Sequence, residues 1–183
     1  MQSSDRELYR AAIQGDRDAF ETIIRASSRA LFAVAYGVLQ DRTEAEDVVQ
    51  DAFVKAWKSR WRVRDPEKFP AWLATIARHR ARDIARNRGT IPLLEELEDI
   101  ADTTAANQDQ IAREAYLSSR VHCALAVLPE THRIALTLRY FDALDYATIE
   151  ETLGLTNGAL RGILGRALQT MRKQLQPAFA SLE

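Results

Sequence analysis

Cysteine is almost missing from this 183-residue chain: Cys123 stands alone, so an internal disulfide is excluded. Only His79, His122 and His132 could join it as soft ligands, and no two of these groups stand at a zinc-binding spacing, so no metal site is expected. The adjacent pair His122-Cys123 reads as packing rather than chemistry. There is no nucleophile or carboxylate pair at a useful spacing and no glycine loop able to cradle phosphate, which argues against an enzyme and against a cofactor. No run approaches the roughly 18 to 20 uninterrupted apolar residues of a membrane span, so no membrane insertion is expected. The first residues, Met1 to Arg6, lack the basic and then apolar pattern of an export signal, and a cytoplasmic location follows as the expectation.

What the chain does have is charge, and it is segmented. The formal net charge of -1 conceals 17 Lys and Arg against 13 Asp and Glu in residues 1–92, 1 against 7 in residues 93–116, and 7 against 6 in residues 117–183. An acidic middle between neutral or basic blocks predicts two domains joined by a polar connector.

Apolar residues recur at spacings of three and four almost everywhere outside that middle, so the expected fold class is all-α: two small helical domains joined by a polar acidic linker. A first helix is predicted from about Asp5 to Gln14, ending at Gly15. Asp16 caps a second carrying Phe20, Ile23 and Ile24, and a third follows through Leu31 to Leu39. Thr43 and Glu46 stand at capping-box spacing ahead of a helix whose stripe is Ala45, Val48, Val49, Ala52, Phe53, Ala56 and Trp57. After a loop marked by Pro66, another helix begins near Pro70 and divides in character. Phe69, Trp72, Leu73 and Ile76 make its first half apolar, whereas five arginines in the eleven residues Arg78 to Arg88 face one acid, Asp83. That end leaves the core to meet something negative. Residues 93–112 read as a linker with one short acidic helix. Helical periodicity returns from Ile111 to Val127, breaks at Leu128-Pro129, and resumes over Thr131 to Phe141, Tyr146 to Leu153 and Asn157 to about Leu175. The domains are thus drawn at 1–92 and 113–183.

Two stretches carry functional meaning. Ile149 and Leu153, the turn Gly154-Leu155-Thr156, and Leu160, Ile163, Leu164, Ala167, Leu168 and Met171 have helix-turn-helix spacing, with Thr156 or Asn157 as cap of a recognition helix; an ordinary helical hairpin has the same spacing. The arginine-rich helix end, following Trp61, Arg62, Arg64 and Lys68, suits phosphate neutralisation with an aromatic close by, although such ends are also often simply solvated. Asp47, Gln50, Asp51 and Lys55 look, from composition alone, like a solvated face.

The run Asp41 to Trp57, DRTEAEDVVQDAFVKAW, resembles region two of sigma-70-type factors, the part that binds the polymerase clamp. Phe69 to Arg78, FPAWLATIAR, with Asp83 is similar to the stretch that reads and melts the minus-ten element. Leu128-Pro129, Arg133, Leu138-Arg139-Tyr140, the helix-turn-helix and Arg166-Ala167 resemble region four, which reads the minus-thirty-five element. The likeness covers nearly the whole chain except the linker and points to the extracytoplasmic-function group.

The resemblance implies a non-catalytic initiation factor that works as a subunit of RNA polymerase. Asp47, Gln50, Asp51 and Lys55 would face the core enzyme's clamp, region four would meet its flap, and an anti-sigma factor would be a further partner. Trp61, Arg62, Arg64, Lys68, Arg78, His79, Arg80, Arg82 and Arg86 would hold the displaced strand of promoter DNA, with capture of a flipped base drawing melting forward. Thr156, Asn157, Arg161 and Arg166 would contact the upstream duplex. Family members usually place a small residue where Glu150 stands, threonine at Ala159, serine at Gly162 and often a basic residue at Ile163, and asparagine is common at His79. Gly158, Gly162 and Gly165 weaken the recognition helix. Two rivals stand beside this expectation: a sigma mimic that sequesters an anti-sigma factor, and a conventional helix-turn-helix repressor.

Overall fold

The computed structural model describes residues 3–88 and 108–180, all of whose regular structure is helical. In chain order these are α1 (Ser3–Gln14), α2 (Arg17–Leu39), α3 (Arg42–Ser59), short 3-10 turns at Arg60–Arg62 and Pro66–Lys68, α4 (Phe69–Asn87), α5 (Gln108–Ala126), α6 (Glu130–Leu136), a π-type turn at Thr137–Phe141, α7 (Tyr146–Leu153) and α8 (Asn157–Ala180). The expected short acidic helix of the connector falls outside the described residues. Its expected last residues, 108–112, instead open α5.

Two sequence-based expectations about the first lobe need correction. The second and third helices are one continuous rod, α2, because nothing at Ser27-Ser28 breaks it. The Ser28 hydroxyl donates back to the Ile24 carbonyl at 2.5 Å, satisfying itself within the helix rather than capping a new one. Helix α3 starts at Arg42, so its cap is Asp41 and not Thr43. The Asp41 carboxylate accepts from the Glu44 amide at 2.8 Å, and an ionised oxygen is the stronger acceptor for the helix's positive end. Elsewhere the pattern holds. Ala45, Val48, Ala52, Phe53 and Ala56 are buried along α3, and Asp16 caps α2 through the Ala19 amide at 3.0 Å.

Helices α1 to α4 form one lobe, with Phe20 set edge-on between Phe53 and Trp57 and Phe69 between Tyr9 and Trp72. Helices α5 to α8 form a second. The two share one hydrophobic core: α2 packs on α6 and the π-type turn, and α4 packs on α7. Polar contacts tie the same seam. Arg133, half-buried on α6, donates to the Gly37 carbonyl, Tyr36 hydroxyl meets His122 Nδ1 at 3.4 Å, and Arg29 reaches Asp142.

Among the described residues α2 alone is long and apolar enough, by length and composition, to cross a membrane, and half of that window is buried inside the protein. Its apolar face is accounted for by the core it builds.

Candidate nucleic-acid interface

Helix α3 turns its apolar stripe inward, which leaves Asp47, Gln50, Asp51 and Lys55 exposed together on the outer side. Val54 lies among them with 54% of its surface exposed, an apolar spot inside a charged face. Sequence reading passed over it, although a β-branched residue one position beyond the buried Phe53 falls off the stripe and so signals an outward position.

The loop after α3 presents Trp61, 66% exposed, with the Arg62 guanidinium 5.2 Å from its ring centre. Val63 is buried and anchors this loop, while Arg64 and Lys68 project into solvent. Asp65 caps the next turn by accepting from the Glu67 amide at 3.1 Å, and Pro70 then sits in the first turn of α4, where its missing N–H costs nothing. Phe69, Leu73, Ile76 and Ala77 pack inward, so the rotation of α4 brings His79, Arg80, Arg82 and Arg86 to the surface.

The arginines of α4 meet the protein's own carboxylates in this structure. Arg80 Nε lies 2.8 Å from Asp51 Oδ2, so the acidic face of α3 and the basic face of α4 meet in an ion pair. Arg82 makes a two-pronged bridge to Glu130 of the second lobe, at 2.8 and 2.9 Å, which raises the guanidinium's pKa further. Arg86 pairs with Asp83, and Arg88 pairs with Asp41 and Glu44. Arg78 is the exception: its Nε is buried and has no hydrogen-bond partner. No feature of the sequence marked Glu130 as the partner of Arg82, since 48 residues separate them.

In the second lobe Gly154 ends α7 in the left-handed conformation, φ 65°, a geometry that glycine adopts without the Cβ penalty. Ile149, Leu160, Ile163, Leu164 and Ala167 are buried, and Thr156, Asn157, Arg161 and Arg166 are exposed on the opposite side. The helix begins at Asn157 and Thr156 caps it, accepting from the Ala159 amide at 3.4 Å. Asn157 is differently occupied. Its Nδ2 donates to Glu150 Oε1 at 2.5 Å while its Oδ1 accepts from Arg161 Nε at 2.8 Å. Behind this face, an open apolar groove of about 660 Å³ runs between α5, the π-type turn and α8, lined by Leu125, Tyr140, Phe141, Leu168 and Met171. Tyr140 and Phe141 are each more than half exposed.

A helix-turn-helix and an arginine-bearing helix on opposite lobes match two family descriptions. Residues 23–90 match Sigma-70 region 2, and residues 118–176 match Sigma-70, region 4. The chain is 30% identical over 188 residues to the ECF RNA polymerase sigma-E factor of Haemophilus influenzae, covering 96% of this chain and 97% of that protein. It belongs to the extracytoplasmic-function group of the sigma-70 family. The probable RNA polymerase sigma factor RfaY of Xanthomonas campestris pv. campestris is 32% identical over 94% of this chain, which spans 44% of that protein's length. Among solved structures, CnrH in complex with the cytosolic domain of CnrY is similar with a TM-score of 0.62 and 27% identity, covering 96% of this chain and 99% of that one. For a member of this family, the helix-turn-helix reading of α7 and α8 prevails over a plain helical hairpin.

Proposed function

We propose that this chain directs core RNA polymerase to specific promoters and assists strand separation, and that it has no catalysis or cofactor of its own. One observation carries the proposal: an exposed acidic face on α3 abuts an arginine-rich face on α4, and a solvent-facing tryptophan stands on the loop between them. Residues 1–92 then hold the polymerase clamp and the minus-ten element, and residues 113–183 the flap and the minus-thirty-five element. Asp47, Gln50, Asp51 and Lys55, with Val54 at their centre, form the clamp surface. Charge there selects the partner and speeds encounter. Trp61, Arg62, Arg64, Lys68, Arg78, His79, Arg80, Arg82 and Arg86 line the path of the displaced strand. Unstacking a base costs a few kcal/mol, which stacking on Trp61 and phosphate pairing with the arginines offset. The ion pairs of Arg80 and Arg86 are solvent-exposed and weak, and that of Arg82 is partly exposed, so polyanionic DNA competes for all three guanidinium groups. The apolar groove beside Tyr140 and Phe141 suits the flap, and an anti-sigma factor competes for the same surfaces. The place of action is the cytoplasm, where polymerase works.

Promoter-dependent run-off transcription with purified core polymerase tests this reading. A transcript starting at one position is expected. The glycine-lined face of α8 favours one other reading, a mimic that sequesters an anti-sigma factor, and a mimic yields no transcript while still binding that factor.

A further inference from the structure

On the exposed side of α8, glycine occupies positions 158, 162 and 165 and alanine position 159. Between Asn157 and Gln169, Arg161 and Arg166 are therefore the only long exposed side chains that can leave the helix. Arg166 folds back along it, its Nη1 3.3 Å from where a Cβ at Gly162 would stand. Arg161 has two contacts, one of them backed by a further group. Its Nε donates to Asn157 Oδ1 at 2.8 Å, Asn157 Nδ2 donates to Glu150 Oε1 at 2.5 Å, and its Cζ lies 5.7 Å from the centre of the Tyr146 ring. Arg139, on the same ring at 5.2 Å, is tethered to the Leu144 carbonyl, so Tyr146 is itself braced. Arg161 is exposed, and its Nη1 and Nη2 have no hydrogen bond among the described residues, which leaves the two-pronged end of the guanidinium free for a ligand.

We infer that Glu150 and Asn157 are positioning residues that preset Arg161 to read a guanine in the upstream promoter duplex, an inference that rests on the sigma-factor reading above. An amide can turn end for end, but here the carboxylate of Glu150 takes only the N–H end, which obliges the oxygen end to face Arg161. The strut thus fixes both the rotamer of the arginine and the direction of its fork. Two parallel N–H donors match the O6 and N7 acceptors of guanine in the major groove. The neighbouring glycines let the helix backbone approach the base edges closely, and no second reader competes on the first two turns. Because Nε is committed to Asn157, the strut fixes the fork before DNA arrives, and less rotamer freedom is lost on binding.

The test is transcription by holoenzyme from a library in which the upstream element is randomised, scoring the base preference at each position. Wild type is expected to prefer guanine about tenfold at one position, the scale of one two-pronged contact. Arg161→Ala should flatten the preference at that position alone. Glu150→Ala should weaken it about threefold, whereas Glu150→Gln, whose carbonyl still accepts from Asn157, should retain it. A guanine preference that survives Arg161→Ala, or that is equal in Glu150→Ala and wild type, overturns the inference while leaving the sigma reading intact. Absence of any specific transcript from wild type, with core binding measured in parallel, overturns both.

Discussion

Gly37 on α2 and Ile134 on α6 touch so closely that a methyl group added to Gly37 would lie 2.8 Å from Ile134 Cγ1 and 3.1 Å from its Cα. The second atom belongs to backbone, which cannot swing aside. Alanine normally improves a helix interior by up to about 1 kcal/mol over glycine, so a loss at this position reports the contact and not propensity. Gly37→Ala is expected to lower the melting temperature, Gly37→Leu to cost about 1–3 kcal/mol, and Ile134→Ala to relieve part of the effect of Gly37→Ala in the double variant. Strictly additive effects in denaturant titrations would contradict this packing.

The bridge between Arg82 and Glu130 joins two groups that are 46% and 24% exposed. Pairs of that kind contribute at most about 1 kcal/mol, so Glu130→Gln should shift the melting temperature by no more than a few degrees. It should also release Arg82. Holoenzyme carrying this variant is expected to bind a single-stranded non-template oligonucleotide more tightly than wild type, with the gain shrinking as salt rises. Fluorescence anisotropy over a salt series decides, and identical curves for the two proteins would count against a DNA role for Arg82.

Asp41 is pulled two ways. Burial pushes its carboxyl up, but the amides of Glu44 and Thr43 and the guanidinium of Arg88 outweigh that and hold it below its ordinary 3.8. A carboxylate with a depressed folded pKa contributes stability that is complete above the unfolded value and disappears as pH falls through the folded one. Thermal melts of wild type should therefore lose ground as pH drops below about 3.8, and Asp41→Asn should lose less over that interval. Parallel slopes for the two proteins would remove Asp41 from the acid response.

Arg78 carries a buried, unpaired Nε on the same helix as Arg82. Arg78→Ala combined with Arg82→Ala is expected to abolish open-complex formation while core association is unchanged. Normal permanganate reactivity of thymines at the start site would refute the assignment of these two side chains.

Helix positions and inward stripes were legible in the sequence because burial imposes a period, and α3, α4 and α8 follow it. Local polar choices were harder to see. The cap of α3 is Asp41 rather than Thr43 because residue 41 has the extended backbone of a cap, whereas Thr43 already lies inside the helix. The apolar stripes around Ile24 and Leu31 were drawn as two helices, yet the Ser28 hydroxyl between them bonds back to the Ile24 carbonyl and lets the helix run on. Of the residues proposed for polymerase and DNA, exposure followed from the stripe on the opposite side for all but Arg78, which is partly buried. What they touch did not. Arg82 with Glu130, and Glu150 with Asn157 and Arg161, are pairings made by tertiary placement, which no spacing rule encodes.

Because α2 belongs to the first lobe yet packs on α6 and the π-type turn of the second, neither lobe owns its apolar surface independently. Heating should consequently produce one calorimetric peak whose van't Hoff and measured enthalpies agree, as in a cooperative unit, despite the two family regions. A partner that binds only one lobe will register on the amide-exchange rates of the other, with α2 as the shared reporter.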